Sequence, residues 1–361
     1  MSVTREEFIQ ELKKREAWLL ELFQQERYRR LFGPEPLQQA VYSYLGRPAK
    51  RFRPGILLFC AGATGGKEEQ ALFAAASVEV YHTWTLVHDD IIDNDPKRRG
   101  LPTVHEEFRQ KSLSWGYPET EAVRLGRDIA ILAGDLQHAW SVRLLLDSME
   151  AGVPLTVIFD LVKHLETEVT TGLVKGEALD VLFARQDMEE LSEKAVLEML
   201  ELKTGVLFQY AAMAGASIGL GQTAAENKLI ESLGRFARGC GIAFQLQDDI
   251  LGITGDEKAL GKPVGSDIRE GKRTTIVLKA YQNAGSVDKE YLRKWLGNPA
   301  IPEQEVIRIR RILTEYNGIS YTRELAESIV TQATAEIASL PESGYKELLL
   351  AWAKYVINRE F

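Results

Sequence analysis

The run VEVYHTWTLVHDDIIDNDPKRRG, residues 78–100, decides how the whole chain is read. Its first half has almost no helix breaker and repeats apolar residues at helical spacing, so it predicts a buried helix ending near Asn94 or Pro96. Asp89 and Asp93 are one turn apart and share a face, Asp90 lies beside them, and His82 falls on that face two turns back. Three carboxylates at a helix C-terminus oppose the helix dipole and repel one another, which calls for a cation. Oxygen ligands with no cysteine nearby suit Mg²⁺, which takes one or two carboxylates and fills its shell with water and phosphate oxygens. Arg98 and Arg99 follow at once, and metal on one side with guanidinium forks on the other is what a diphosphate needs. Taken alone, the string reads equally well as an acidic helix end facing water.

Upstream, Thr4 and Glu7 predict a capping box, and Phe8, Leu12, Leu19 and Phe23 recur at helical intervals as a packing or dimer face. Lys50, Arg51 and Arg53 crowd against the start of an apolar helix, GILLFCAGATGG, where positive charge opposes the dipole and wants an anion. A solvated basic turn is the plainer alternative. Downstream, residues 119–149 predict a long helix whose Ala133-Gly134-Asp135 marks the close approach of another helix, most naturally the aspartate helix. Two more long helices are expected over 156–184 and 188–219. Lys203, inside the apolar run LELKTGVLFQYAAMAGA, needs a partner, of which an anionic ligand is one candidate.

The pattern of the first run returns at 241–275, GIAFQLQDDILGITGDEKALGKPVGSDIREGKRTT. Asp248 and Asp249 sit near the end of an apolar helix with Gln245 one turn back, and Lys262, Arg269, Lys272 and Arg273 occupy the glycine-rich loop beyond. An acidic pair followed by a basic loop therefore occurs once in each half. If the two helix ends face each other across a bundle, they make one carboxylate cage with an organic diphosphate at its mouth and apolar helices below. The chemistry such a site suits is ionisation of an allylic C–O bond to a carbocation.

A chain of 361 residues, 45% hydrophobic and 27% charged, has an ordinary soluble composition. No long run alternates at strand period and no low-complexity linker interrupts the helices, which predicts one all-α domain over residues 1–361, a helical bundle around a central cavity. A net charge of −8 argues against a general nucleic-acid binder, whose electrostatic footprint would be basic. Cys60 and Cys240, the two cysteines, lie in helical contexts and read as reduced core residues. With no signal-like N-terminus and no long apolar stretch, the expectation is a cytoplasmic protein without stable membrane insertion.

On these residues the chain resembles the trans-isoprenyl diphosphate synthases of the polyprenyl synthetase family, over nearly its whole length. The resemblance implies the isoprenoid synthase fold and a 1′-4 condensation of isopentenyl diphosphate with an allylic prenyl diphosphate. It further implies Mg²⁺, three ions with substrate bound, and a homodimer. By resemblance Asp89, Asp90, Asp93, Asp248 and Asp249 are the metal residues. Lys50, Arg53, His82 and Arg99 would hold isopentenyl diphosphate. Arg98, Lys203, Thr204, Gln245, Lys262 and Lys272 would hold the allylic diphosphate, with Lys203, Thr204 and Gln245 lining the reacting end as catalytic residues. Two departures stand out: Ala49 replaces the usual glycine before the first lysine, and Gly252 takes the place of a third aspartate in the second motif. The departing diphosphate is the expected base, so no side chain is given that role.

Tyr81, Trp84 and Thr85 stand eight, five and four residues before Asp89, where an aromatic floor would stop a growing tail. An aromatic followed by threonine at these places resembles geranylgeranyl diphosphate synthases, which predicts a twenty-carbon product, with the fifteen-carbon farnesyl product next. Ordinary core packing explains the same aromatics. A class I terpene cyclase would lack Lys50 and Arg53 and carry a different second motif. A non-catalytic subunit of a heteromeric synthase would have lost acidic positions that this chain keeps.

Overall fold

Helices follow one another along the computed structural model, which describes residues 3–255 and 265–358. In order they are α1 (Arg5–Phe23), α2 (Glu26–Arg29), α3 (Glu35–Tyr42), α4 (Phe52–Ala63), α5 (Glu68–Ile92), α6 (Val104–Ser114), α7 (Glu119–Asp147), α8 (Leu155–His164), α9 (Thr170–Phe183), α10 (Glu193–Leu200), α11 (Val206–Leu220) and α12 (Lys228–Thr254). Six further helices run from Ser266–Glu270 to Gly344–Ile357. Among the described residues the only strands are Lys97–Arg98 and Leu101–Pro102, so the all-α class expected from periodicity is the one adopted. The chain forms two compact units: residues 3–165, 210–234 and 340–351, and residues 166–209, 235–255, 265–339 and 352–358.

In the first unit, α1 starts at the expected capping box, with Thr4 N donating to Glu7 Oε2 at 2.8 Å and Glu7 N to Thr4 Oγ1 at 3.3 Å. Its buried stripe places Phe8 against Phe52 and Phe59 of α4. Each such side chain taken fully out of water contributes on the order of 2 kcal/mol. The aspartate helix α5 buries Ala71 and Ala74–Ala76 and lies along α7. The small residue expected at a close approach is Gly134 of α7, where a Cβ would come within 2.2 Å of His88 Nε2.

In the second unit, apolar residues such as Ile250, Ile276, Tyr281, Leu292, Ile309 and Leu313 form one core cluster. The helix expected from residue 188 begins instead at Glu193, because Ser192 Oγ accepts from Ala195 N at 3.2 Å and caps it there. A π-helical turn, Glu201–Gly205, then joins α10 to α11 and carries Lys203 and Thr204. Gly176 of α9 lies directly against that turn: a Cβ there would meet Lys203 N at 2.4 Å.

Candidate active site

In the first unit, Asp93 caps α5 by donating its N–H to the Asp89 carbonyl at 2.8 Å. Asn94 then takes a left-handed φ of 55°, and the chain doubles back through the Lys97–Pro102 hairpin. Its two turn residues, Arg99 and Gly100, have φ of 55° and 78°, the pattern of a type I′ turn. A bulky side chain at positive φ is strained, and strain of this kind collects at functional sites. The turn brings Arg98 onto the acids, with Nε donating to Asp90 Oδ1 at 2.7 Å and Nη2 to Asp89 Oδ2 at 2.9 Å. Asp90 is fully buried and also accepts from the Tyr44 hydroxyl. Burial pushes the Asp90 carboxyl up against the opposing pull of Arg98. For Arg98, burial works against the charge, but Asp90 and Asp89 outweigh it and fix the guanidinium as a cation.

His82, two turns back, lies 3.0 Å from Arg53 Nη1 through its Nε2. A guanidinium only donates, so Nε2 accepts and the ring is neutral. Burial, then Arg53, Arg99 and Arg98, hold its pKa well below the ordinary 6.5. The three cations expected together before α4 separate. Arg51, at φ 46°, turns inward, buried against Glu79, Glu16 and the Leu45 carbonyl. Lys50 is exposed and Arg53 half-buried. Arg99 is exposed and donates to the Pro48 carbonyl at 3.3 Å. A narrow recess of about 10 Å³, room for roughly one water-sized group, is lined by residues that include His82, Arg98 and Arg99.

In the second unit, Asp180 of α9 bridges two ammoniums: Lys203 Nζ and Lys272 Nζ each donate to its Oδ2 at 2.7 Å. Glu177 Oε2 is a further partner of Lys203 at 2.9 Å. Burial would raise the Asp180 carboxyl, but the two lysines outweigh it and pull it down. A relay runs beside them, Thr204 Oγ1 donating to Gln245 Oε1 at 3.0 Å and Gln245 Nε2 to Asp249 Oδ1 at 3.0 Å. Asp249 is buried, and burial, with Asp267, Asp248 and Asp180 nearby, pushes its carboxyl well up. Asp248 is its neighbour on α12 and half-buried. Lys262 lies outside the described residues.

The candidate floor is a ring cluster in the first unit. Tyr81 is buried, with its ring 4.9 Å from Trp84, and Trp84 lies 4.7 Å from His138 of α7. Trp84 Nε1 donates to His88 Nδ1 at 3.1 Å, which leaves the His88 proton on Nε2, 3.3 Å from the Ile131 carbonyl. Thr85 turns back onto its own helix, donating to the His82 carbonyl at 2.8 Å.

Sequence reasoning therefore finds the first cluster as a local group but misses Tyr44, and it misses Glu177 and Asp180 altogether. Their signal is Gly-Glu-x-x-Asp at 176–180, a small residue at a helix crossing followed by acids one turn apart. Among the described residues no three His, Cys, Asp or Glu side chains gather into a closed metal cage. The acids present would suit a hard divalent cation: they offer only oxygens, and Asp249 is buried with Asp267, Asp248 and Asp180 nearby, like charges that a cation would offset.

The Polyprenyl synthetase family profile matches residues 34–313. A geranylgeranyl diphosphate synthase of Sulfolobus acidocaldarius is 38% identical over 297 residues, 82% of each chain. The crystal structure of a geranylgeranyl pyrophosphate synthetase from Pyrococcus horikoshii superposes with a TM-score of 0.80 at 32% identity, covering 99% of this chain and 98% of that one. That of a geranylgeranyl pyrophosphate synthase from Corynebacterium glutamicum, complexed with isoprenyl diphosphate and magnesium, gives a TM-score of 0.85 at 26% identity, covering 98% and 99%.

Proposed function

Since the chain belongs to the polyprenyl synthetase family, we propose that it is a short-chain trans-prenyl diphosphate synthase, the whole of residues 1–361 acting as one catalytic domain. Its substrates are isopentenyl diphosphate and an allylic prenyl diphosphate, and its product is geranylgeranyl diphosphate. The observation that carries this reading is the clamp of Arg98 on Asp89 and Asp90, a fixed cation set against acids at the end of the aspartate helix.

The first-motif metal site is Asp89 and Asp93, one turn apart; Asp90, enclosed by Arg98 and Tyr44, reaches a metal only if Arg98 swings away. Asp248 and Asp249 serve the second. Mg²⁺ bound there would neutralise the charge that develops on the departing diphosphate. In the first unit Arg98 offers fixed positive charge to a diphosphate, and in the second Lys203 and Lys272 do so, both held in place by Asp180. The Thr204 hydroxyl and Gln245, oriented by the relay to Asp249, line the nascent cation with oxygen. Lys50, Arg53, His82 and Arg99 hold isopentenyl diphosphate, neutral His82 keeping Arg53 aligned. The allylic C–O bond breaks to give cation and diphosphate, the isopentenyl double bond attacks the cation, and a proton is lost to the diphosphate.

The packed rings of Tyr81, Trp84 and His138 beside the aspartate helix support a short product, since a bulky floor there would stop a growing tail. A homodimer is supported by the exposed apolar residues Ile131, Leu132, Leu155 and Phe159 on α7 and α8. No helix among the described residues is long and apolar enough to cross a membrane, in keeping with a cytoplasmic enzyme.

The test is product analysis with purified protein, Mg²⁺, isopentenyl diphosphate and dimethylallyl, geranyl or farnesyl diphosphate. A dominant twenty-carbon product, lengthened by Trp84→Ala, supports the whole reading. A fifteen-carbon product moves it to farnesyl diphosphate synthase. Farnesyl diphosphate consumed without isopentenyl diphosphate makes the chain a cyclase, and no turnover leaves a non-catalytic subunit.

A further inference from the structure

The recess beside His82, Arg98 and Arg99 holds one more guanidinium, which the reaction above does not use. Arg47 lies in the turn between α3 and α4 and lines the same recess. Its Nε donates to the Ser43 carbonyl at 3.1 Å and its Nη2 to Ser43 Oγ at 2.9 Å. The guanidinium lies 4.5 Å from the centroid of the Tyr44 ring, and Glu107 is 3.6 Å from Nη2. These contacts fix the plane of the fork. Nη1, however, is buried with no hydrogen-bond partner among the described residues, and the side chain as a whole is 10% exposed. An unpaired charged N–H out of water is costly, and burial already disfavours this cation.

The charge balance of the recess says what would satisfy it. Arg98 is neutralised by Asp89 and Asp90, and Glu79, the acid in the wall, is paired with Arg51. His82 is neutral. Arg47, with Glu107 3.6 Å from its Nη2, and Arg99 line the same recess and bring two more positive charges to it. Bracing of the turn accounts for Nε and Nη2 of Arg47 but not for Nη1.

We infer that Arg47 is a further ligand of isopentenyl diphosphate, its Nη1 donating to a phosphoryl oxygen in the recess shared with His82 and Arg99. The inference rests on the prenyl-transfer reading and deepens it. A lysine in its place would not serve equally, since an ammonium lacks the rigid fork that Ser43 aims.

The experiment compares wild type, Arg47→Gln and Arg47→Lys by calorimetric titration with isopentenyl diphosphate and by steady-state kinetics. Loss of one charge-assisted bond should weaken isopentenyl diphosphate binding in Arg47→Gln by roughly tenfold to a hundredfold. Its KM for isopentenyl diphosphate should rise in step, while kcat and the KM for the allylic diphosphate change less than about threefold. Arg47→Lys should fall between. If Arg47→Gln does not fold, a selective KM rise in Arg47→Lys carries the same conclusion. Unchanged isopentenyl diphosphate affinity, or an equal loss for both substrates, makes Arg47 a brace for Ser43 and overturns the inference. Absence of any turnover by wild type removes the underlying reading itself, a result distinct from a variant that turns over with unchanged KM.

Discussion

The two acid clusters use the same chemical groups and are built in opposite ways. In the first unit, Asp89, Asp90, Asp93 and Arg98 come from one helix end and the hairpin that follows it, with Tyr44 as the outside contribution. In the second, Glu177 and Asp180, Lys203 and Thr204, Gln245 and Asp249, and Lys272 arrive from four separated segments. The local cluster takes its geometry from helix periodicity and a strained turn. The distributed one takes its geometry from the contact of α9 with the Glu201–Gly205 turn at Gly176. A local cluster should therefore fail mainly through its own charges, and a distributed one also through distant sterics.

The largest effect should follow Asp180→Asn, which removes the anion shared by two lysines. With two charge-assisted bonds weakened at roughly 1.5–3 kcal/mol each, kcat/KM for the allylic diphosphate should drop about 10²- to 10³-fold. Leaving two half-buried ammoniums without their shared carboxylate should also lower stability by about 3 kcal/mol, read from urea unfolding. A loss under about tenfold in kcat/KM would mean that Glu177 and Glu270 hold the lysines unaided, and the second cluster would be as redundantly braced as the first.

Next in size is a pair of glycine substitutions. Gly176→Ala drives a methyl into the Lys203 backbone and should cost roughly 1–3 kcal/mol, with kcat falling up to about a hundredfold as Lys203 and Thr204 shift. Gly134→Ala meets the His88 ring rather than backbone, and displacing that ring gives up its bonds to Trp84 and the Ile131 carbonyl, so it should cost about 1 kcal/mol after the helix gain of alanine is counted, less than Gly176→Ala. Because His88 holds Trp84, Gly134→Ala should also appear as a changed product-length distribution. Equal destabilisation by the two substitutions would erase the distinction between local and distributed construction.

The same contrast explains what the sequence reveals. Spacing along one helix is visible in a string of letters, so Asp89, Asp93 and His82 can be placed together, as can the helical class and the buried cysteines. Lys203 is recognisable as needing a partner, but the partners are acids of the protein itself, Asp180 and Glu177, more than twenty residues away. Helical periodicity gives no distance between helices; only Gly176 hints at the crossing. Arg51 groups with Lys50 and Arg53 in the sequence because a basic run looks uniform, whereas a single left-handed φ turns it onto Glu79. Tyr44 escapes notice because the need for a phenol arises only once Asp90 is known to be buried.

The smallest predicted effect separates the clusters on the pH axis. His82 is held well below its ordinary 6.5 by burial and by Arg53, Arg99 and Arg98, with Asp89 opposing them, so the folded protein keeps the ring neutral where the unfolded chain takes up a proton. Unfolding then binds a proton below pH 6.5, and stability falls as the pH drops, at up to about 1.4 kcal/mol per unit. Asp180 has the same sign in a different window: its carboxyl is held below 3.8, so its stabilisation is complete above that value and is lost only as the pH falls through the lowered one. Between pH 6.5 and 5.5 the difference between wild type and His82→Gln should therefore isolate the first unit, the variant losing about 1 kcal/mol less than wild type in urea unfolding. His105, whose pKa burial also lowers, titrates alike in both proteins and cancels. Parallel pH profiles for the two would mean that His82 shares a proton with its surroundings in the folded state, and Arg53 would then lose the neutral acceptor that aligns it.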